Sequence, residues 1–119
     1  KEITHLKLSR NNLTDRAAVI IAQSPNVSHL EALELSRNEI GDRGATALAE
    51  SKGLTNLKNL NLNFNKVGNP GAFALAQSKA LAPLETLRLG QNKIGDDGAN
   101  ALKQSLYLKN LIFPIFGYY

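Results

Sequence analysis

Apolar and polar positions follow a pattern that returns every 27 residues, with no insertion or deletion, over almost the whole chain. Set in rows beginning at Ile3, Leu30, Leu57 and Leu84, the openings read ITHLKLSRNNL, LEALELSRNEI, LKNLNLNFNKV and LETLRLGQNKI. Each obeys L-x-x-L-x-L-x-x-N-x-L, with Ile or Val in place of some Leu. In the L-x-L portion every second residue is apolar, the period of a half-buried strand. Leu6, Leu8, Leu33, Leu35, Leu60, Leu62, Leu87 and Leu89 are therefore expected to point inward, and the residues between them outward. The later part of each row, AVIIAQS, ATALAES, AFALAQS and ANALKQS, changes to helical spacing. Ala18, Ala45, Ala72 and Ala99 are small enough to let neighbouring helices lie close. Asp15, Asp42, Asn69 and Asp96 are predicted N-caps, because short polar side chains accept from the free N–H groups of a first turn. Pro70 suits the first helical position. Gly41, Gly68 and Gly95 are predicted to allow a sharp turn before the helix.

One strand and one helix cannot bury their own apolar faces, so stability must come from stacking row on row. Every row runs in the same direction, which makes the strands parallel. Strands stack about 4.8 Å apart and helices need more width, so the sheet lies on the inside of a curve. The expectation is an α/β solenoid with a parallel sheet on the concave face and helices on the convex face. It forms one domain over residues 1–119, with rows 3–29, 30–56, 57–83 and 84–110 and a degenerate fifth row over 111–119. The ninth residue of each row is Asn: Asn11, Asn38, Asn65 and Asn92. An amide carries two donors and an acceptor, so a stacked Asn column can bond loop backbone that has no ladder partner. That role is structural.

The motif L-x-x-L-x-L-x-x-N-x-I-G-D-x-G-A-x-A-L-A, best matched in rows two and four, resembles the leucine-rich repeats of the ribonuclease-inhibitor-like subfamily. The resemblance covers residues 3 to about 110. Row one departs from it with Thr14 and Ala17 where glycines would stand, and the cysteines of the ribonuclease inhibitors are lacking. The resemblance implies a right-handed β-α superhelix that binds another protein through its concave face. It also implies an effector or regulatory role, as in cytosolic immune receptors, small-GTPase regulators and secreted bacterial effectors. The implied location is the cytoplasm, or the host cytosol for an effector.

The ends differ from the middle. Lys1 and Glu2 simply precede the first strand, and an opening on Lys1 rather than Met suggests a piece of a longer protein. At the other end a fifth row starts in phase at Leu111, but Pro114 replaces its fourth-position Leu, Phe116 keeps the sixth position and Tyr119 stands where Asn would be. This segment is expected to cap the core, with Pro114 blocking further pairing. A binding patch or a self-associating open end are the alternatives, since Phe113 and Ile115 fall at outward-facing positions by phase.

Composition narrows the chemistry. The chain has no cysteine, which removes disulfides, thiolate metal sites and cysteine nucleophiles, and fits a reducing compartment. The net charge of +4 is a mild bias. A nucleic-acid binder would need a continuous basic stripe with stacking aromatics. Here Glu31, Glu34, Glu39 and Glu85 interrupt the strand face, so no nucleic acid is expected. No apolar run approaches the ~20 residues of a membrane span.

The binding surface is the set of outward strand positions, which stack into columns. The third column is His5, Ala32, Asn59 and Thr86, and the fifth is Lys7, Glu34, Asn61 and Arg88. The seventh is Ser9, Ser36, Asn63 and Gly90, and the eighth is Arg10, Arg37, Phe64 and Gln91. His5, Lys7, Arg10, Glu34, Arg37, Asn61, Phe64, Arg88 and Gln91 are the candidate contacts. Lys7 and Glu34 are expected to pair. Arg10 and Arg37 are adjacent like charges that favour an acidic group on the partner, and Arg and aromatic side chains are common hot-spot types. Catalysis has little footing. Ser9 and His5, the best nucleophile and base on one face, lie roughly 13 Å apart on an extended strand. No cofactor or metal is expected.

Overall fold

A computed structural model describes residues 3–112 and 114–116. Four short strands, β1 (His5–Lys7), β2 (Ala32–Glu34), β3 (Asn59–Asn61) and β4 (Thr86–Arg88), alternate with four helices, α1 (Asp15–Gln23), α2 (Asp42–Ala49), α3 (Asn69–Ala76) and α4 (Asp96–Lys103). The strands form one parallel sheet in the order β1-β2-β3-β4. Leu6 pairs with Leu33, Leu33 with Leu60 and Leu60 with Leu87, so neighbours are separated by the sequence period. The architecture is an α/β solenoid with strands and helices on opposite sides.

The core is the inward column of each strand meeting the small face of each helix. Leu33, Leu35, Leu60, Leu62 and Leu87 are fully buried, and Ala18, Ala45 and Ala72 are enclosed between adjacent helices. Leu6 and Leu8 in the first row are only half-buried against this cluster, and Ala99 in the last helix is likewise half-buried. A row covered on both sides buries its leucines completely, and a row covered on one side does not.

Three polar columns join the rows. Asn38 Nδ2 donates to the carbonyls of Leu8, Leu35 and Ser36, and its Oδ1 accepts from the N–H groups of Asn11 and Leu13. Asn65 and Asn92 donate to the equivalent carbonyls one and two rows on, and accept from the N–H groups of Ile40 and Val67. Each Asn therefore ties its own loop to the preceding one, as the column predicts.

The second column corrects an expectation. Asp15, Asp42, Asn69 and Asp96 are not N-caps of their own helices; each is the first helical residue, and the caps are Thr14, Gly41, Gly68 and Gly95, without side-chain cap bonds. Pro70 accordingly falls one residue inside the helix start. Asp15 Oδ1 accepts instead from the N–H groups of Gly41 and Gly44 in the next row, at 2.6 and 3.0 Å. Asp42 does the same for Gly68 and Gly71, and Asn69 for Gly95 and Gly98. The capping rule holds, but the cap comes from the neighbouring row. The glycines before the helices do not use a left-handed turn either: Gly41, Gly68 and Gly95 have φ of −110°, −111° and −93°.

The third column escaped the sequence reading. Ser51 Oγ donates to Ala22 O at 2.6 Å, Ser78 Oγ to Ala49 O at 2.6 Å and Ser105 Oγ to Ala76 O at 2.5 Å. Each hydroxyl also accepts from a loop N–H of its own row, such as Leu54, Leu81 and Leu108. The serines thus satisfy carbonyls left free where the preceding helix ends.

The fifth row continues the ladder. Leu35 N–H donates to Asn61 O, Leu62 N–H to Arg88 O, and Leu89 N–H to Ile115 O, each 26 residues on, at 2.8–2.9 Å. Ile112 N–H donates to Glu85 O at 2.8 Å. Ile115, expected to face outward, is 8% exposed and belongs to the core. Strand phase predicts its direction only while the chain stays extended, and residues 115 and 116 turn directly after Pro114. Phe113 and Tyr119, named above for a patch or a cap, lie outside the described residues.

Candidate functional site

The outward strand positions form the columns that the period requires. His5, Ala32, Asn59 and Thr86 are in register, as are Lys7, Glu34, Asn61 and Arg88. His5, Lys7, Glu34 and Arg88 come together, with Leu6, Ala32 and Asn59, around a shallow hollow of about 370 Å³ on the concave face. Asn59 is exposed there and belongs among the candidate contacts; its place in the third column was the signal for it.

Asn61 does not belong to the open surface. It is 8% exposed, its Nδ2 donates to Glu34 Oε1 at 3.0 Å, and its Oδ1 accepts from the Asn63 N–H. Its side chain is turned to Glu34 and is largely shielded from solvent. The expected Lys7–Glu34 ion pair is not formed; the Glu34 carboxylate instead accepts from the Asn61 amide. Between described side chains the ion pair of this region is Lys66–Glu39, 3.1 Å apart, one residue beyond the Asn column. Ser9 and His5 are engaged separately, Ser9 with the Ser36 hydroxyl at 2.9 Å and His5 Nδ1 with Thr4 Oγ1 at 2.9 Å. Ser9 and His5 are therefore not bonded to each other. Among the described residues no group of three or more His, Asp or Glu is arranged to hold a metal ion.

The eighth column stands apart from the rest of the sheet. Arg10, Arg37, Phe64 and Gln91 all adopt left-handed backbone, with φ of 60°, 58°, 58° and 54°. No glycine does so among the described residues. The left-handed conformation costs a side-chain-bearing residue about 1–2 kcal/mol, and four successive rows retain it. The Arg37 guanidinium lies over the Phe64 ring, 4.1 Å from its centroid. Stacking across adjacent rows fixes both side chains and offsets part of the strain. The period places these two residues side by side, but the stack depends on rotamers that spacing does not reveal.

The strain is measurable. Arg10→Gly is expected to raise stability by about 0.5–1 kcal/mol, the left-handed cost less the backbone entropy that glycine loses on folding. Arg10→Val should lower it by about 1 kcal/mol, since a β-branched residue fits this region worst. Urea midpoints of the two variants that shift in the same direction would contradict the assignment.

The helix side carries a second exposed apolar group. Phe73, Leu106 and Tyr107 border a hollow of about 460 Å³, and Lys79 Nζ sits 5.8 Å from the Tyr107 ring centroid. No helix among the described residues is long and apolar enough to cross a membrane.

A comparison with curated proteins yields no match. The family model described as Leucine Rich repeat matches residues 3–22, 28–49, 53–76 and 80–103, one segment in each row and most of the chain in total. Repeats of this kind generally mediate protein–protein interaction and are typically not enzymes. With its matched segments, its in-phase parallel strands and its Asn ladder, the chain belongs to the leucine-rich repeat family.

Proposed function

We propose that this protein is an interaction module that binds a partner protein through its concave face. The contact surface in this reading is His5, Lys7, Glu34, Asn59 and Arg88 around the hollow, together with Arg10, Arg37, Phe64 and Gln91 along its border. The supporting observation is the left-handed column. Side-chain-bearing residues keep left-handed backbone there in four rows, where glycine would relieve it, and this supports a use for those side chains beyond the fold. The finer classification follows the same lines. Each row carries a true α-helix of eight or nine residues, which accords with a ribonuclease-inhibitor-like repeat. A regulatory or effector role, in the cytoplasm or in a host cytosol, goes with this reading.

Self-association through open ends is the rival. It has less support at the C-terminal side, where the fifth row already bonds to the β4 edge through Ile112 N–H and Ile115 O.

The test is site-specific photocrosslinking. A benzophenone amino acid is placed at Asn59 on the concave face, or at Phe73 on the helix side. Extracts of the source organism and of host cells are probed in parallel. The expected result is a discrete product from position 59, lost in an Arg37→Ala, Phe64→Ala variant, and none from position 73. Products from the helix side alone, or a product consisting of two copies of this chain, would overturn the proposal.

A further inference from the structure

We infer that the Arg10–Arg37–Phe64 end of this face recognises carboxylates, and that the segment it takes is an acidic, extended stretch of the partner protein. The inference rests on the concave-face reading above and deepens it.

Charge is the first argument. The face and its border carry Lys7, Arg10, Arg37 and Arg88. The carboxylate among them, that of Glu34, already accepts from Asn61 Nδ2 at 3.0 Å. The nearest acid beyond the border, Glu39, is two residues from Arg37, but its carboxylate pairs with Lys66 Nζ at 3.1 Å. Arg10 and Arg37 are both exposed and their backbones stand one row apart, a strand spacing of about 4.8 Å, while neither arginine is paired with Glu34 or Glu39. Like charges on neighbouring rows are stabilised by anionic groups brought to that end of the face.

Geometry is the second. The Arg37 guanidinium lies over the Phe64 ring, 4.1 Å from its centroid, and the side chain is otherwise exposed, so its N–H groups can reach a ligand. A guanidinium edge is the fork that accepts a carboxylate in a two-bond contact. Backbone and ring both constrain it before binding, so little side-chain entropy is lost on association.

The floor of the face argues for a peptide over a nucleic acid. Asn59 is exposed there and can bond a peptide backbone in either sense. A single ring, already stacked on Arg37, is not the row of stacking platforms that bases need. Alternate residues of an extended chain are about 6.6 Å apart and share one side, so a Glu-x-Glu spacing turns successive carboxylates toward the same face.

The probe is the peptide acetyl-Glu-Ala-Glu-Ala-Glu-amide, titrated into the isotope-labelled protein while the arginine Nε–Hε and Phe64 ring resonances are followed by NMR. The Gln-for-Glu peptide is the neutral control, and a phosphoserine-for-Glu peptide tests the other anion. Saturable shifts at Arg10, Arg37 and Phe64 are expected with the Glu peptide, at least about tenfold weaker with the Gln peptide. Arg37→Gln should weaken binding about tenfold and Arg37→Lys by less. Both are exposed changes, and retained amide dispersion verifies folding; Phe64→Leu, which removes the ring but not the charge, provides a second route to the same loss. No saturable shift at these groups, or equal shifts with the neutral peptide, overturns the inference. Preference for the phosphoserine peptide by more than about tenfold also overturns it in favour of phosphate recognition. A partner that crosslinks from position 59 but is not displaced by the Glu peptide sinks this inference and leaves the concave-face reading standing. Intact arginine shifts with crosslinks from the helix side alone would sink that reading instead.

Discussion

Replacing Asn65 by alanine should cost about 3 kcal/mol. The side chain is 7% exposed and bonds through both its amide nitrogen and its oxygen. Its Nδ2 donates to Leu35 O, Leu62 O and Asn63 O at 2.9, 3.1 and 3.2 Å, and its Oδ1 accepts from Ile40 N–H at 2.9 Å. Alanine leaves a buried N–H and several carbonyls without these partners, where each unsatisfied group costs about 1–3 kcal/mol before relaxation and water entry reduce the sum. A domain of this kind is stable by about 5–15 kcal/mol, so the loss is a large fraction of the whole. It also falls on the interface between rows two and three, and a solenoid holds together through such interfaces in series.

Two comparisons isolate the cause. Asn11, in the same column, is exposed and donates through Nδ2 to Ser9 O. Asn11→Ala should therefore cost less than about 1 kcal/mol. Asn65→Asp keeps the size and the acceptor but removes the donors and buries a charge, so it should be at least as damaging as alanine. Chemical denaturation followed by far-ultraviolet circular dichroism supplies all three midpoints. An Asn65→Ala loss no larger than that of Asn11→Ala would mean that the ladder is not what holds the rows.

The Asn ladder was legible in the sequence because its signal is a residue type repeated at one phase. The strands were legible for the same reason: a period of 27 without slips fixes the register of every pair, from His5↔Ala32 to Asn61↔Arg88. The serine column carried an equally clear signal, Ser24, Ser51, Ser78 and Ser105 at the end of AVIIAQS and its counterparts, but only the apolar spacing was read there. The caps were misassigned for a different reason. Capping rules are local, and in a stacked array the nearest free N–H groups to Asp42 belong to Gly68 and Gly71, not to its own helix. Phase alone also says which side of the strand a residue occupies, but not what lies across it. Asn61 was assigned to the correct column and is nonetheless buried against Glu34. The Arg37–Phe64 stack needs rotamers, and the inward turn of Ile115 needs the end of the strand at Pro114; neither is a property of the period.

The second prediction follows from the misassigned caps. Gly71→Ala should destabilise the protein by about 2 kcal/mol, although alanine in place of glycine inside a helix ordinarily stabilises by about 0.5–1 kcal/mol. A Cβ at residue 71 would lie 2.7 Å from Val67 Cγ1, 2.9 Å from Asp42 Oδ1 and 3.1 Å from Ala45 Cβ. Val67 is fully buried and cannot retreat cheaply. Asp42 can retreat only by giving up its bonds to the N–H groups of Gly68 and Gly71, at 2.7 and 2.9 Å. Row one supplies a natural contrast: Ala17 occupies the equivalent position, and among the described residues no earlier row presses a carboxylate against it. Asp42→Ala alone should cost about 1–2 kcal/mol, the usual loss for a removed helix cap. The double variant separates the two contacts. If the carboxylate is the main obstacle, Gly71→Ala becomes cheaper by about 1 kcal/mol once Asp42 is truncated, and the double-mutant cycle shows that coupling. If the full cost persists, the obstacle is Val67, and the glycine is required by the core rather than by the cap. If Gly71→Ala stabilises the protein in either background, the close approach of rows two and three is wrong, and with it the explanation for a glycine at this position in rows two to four.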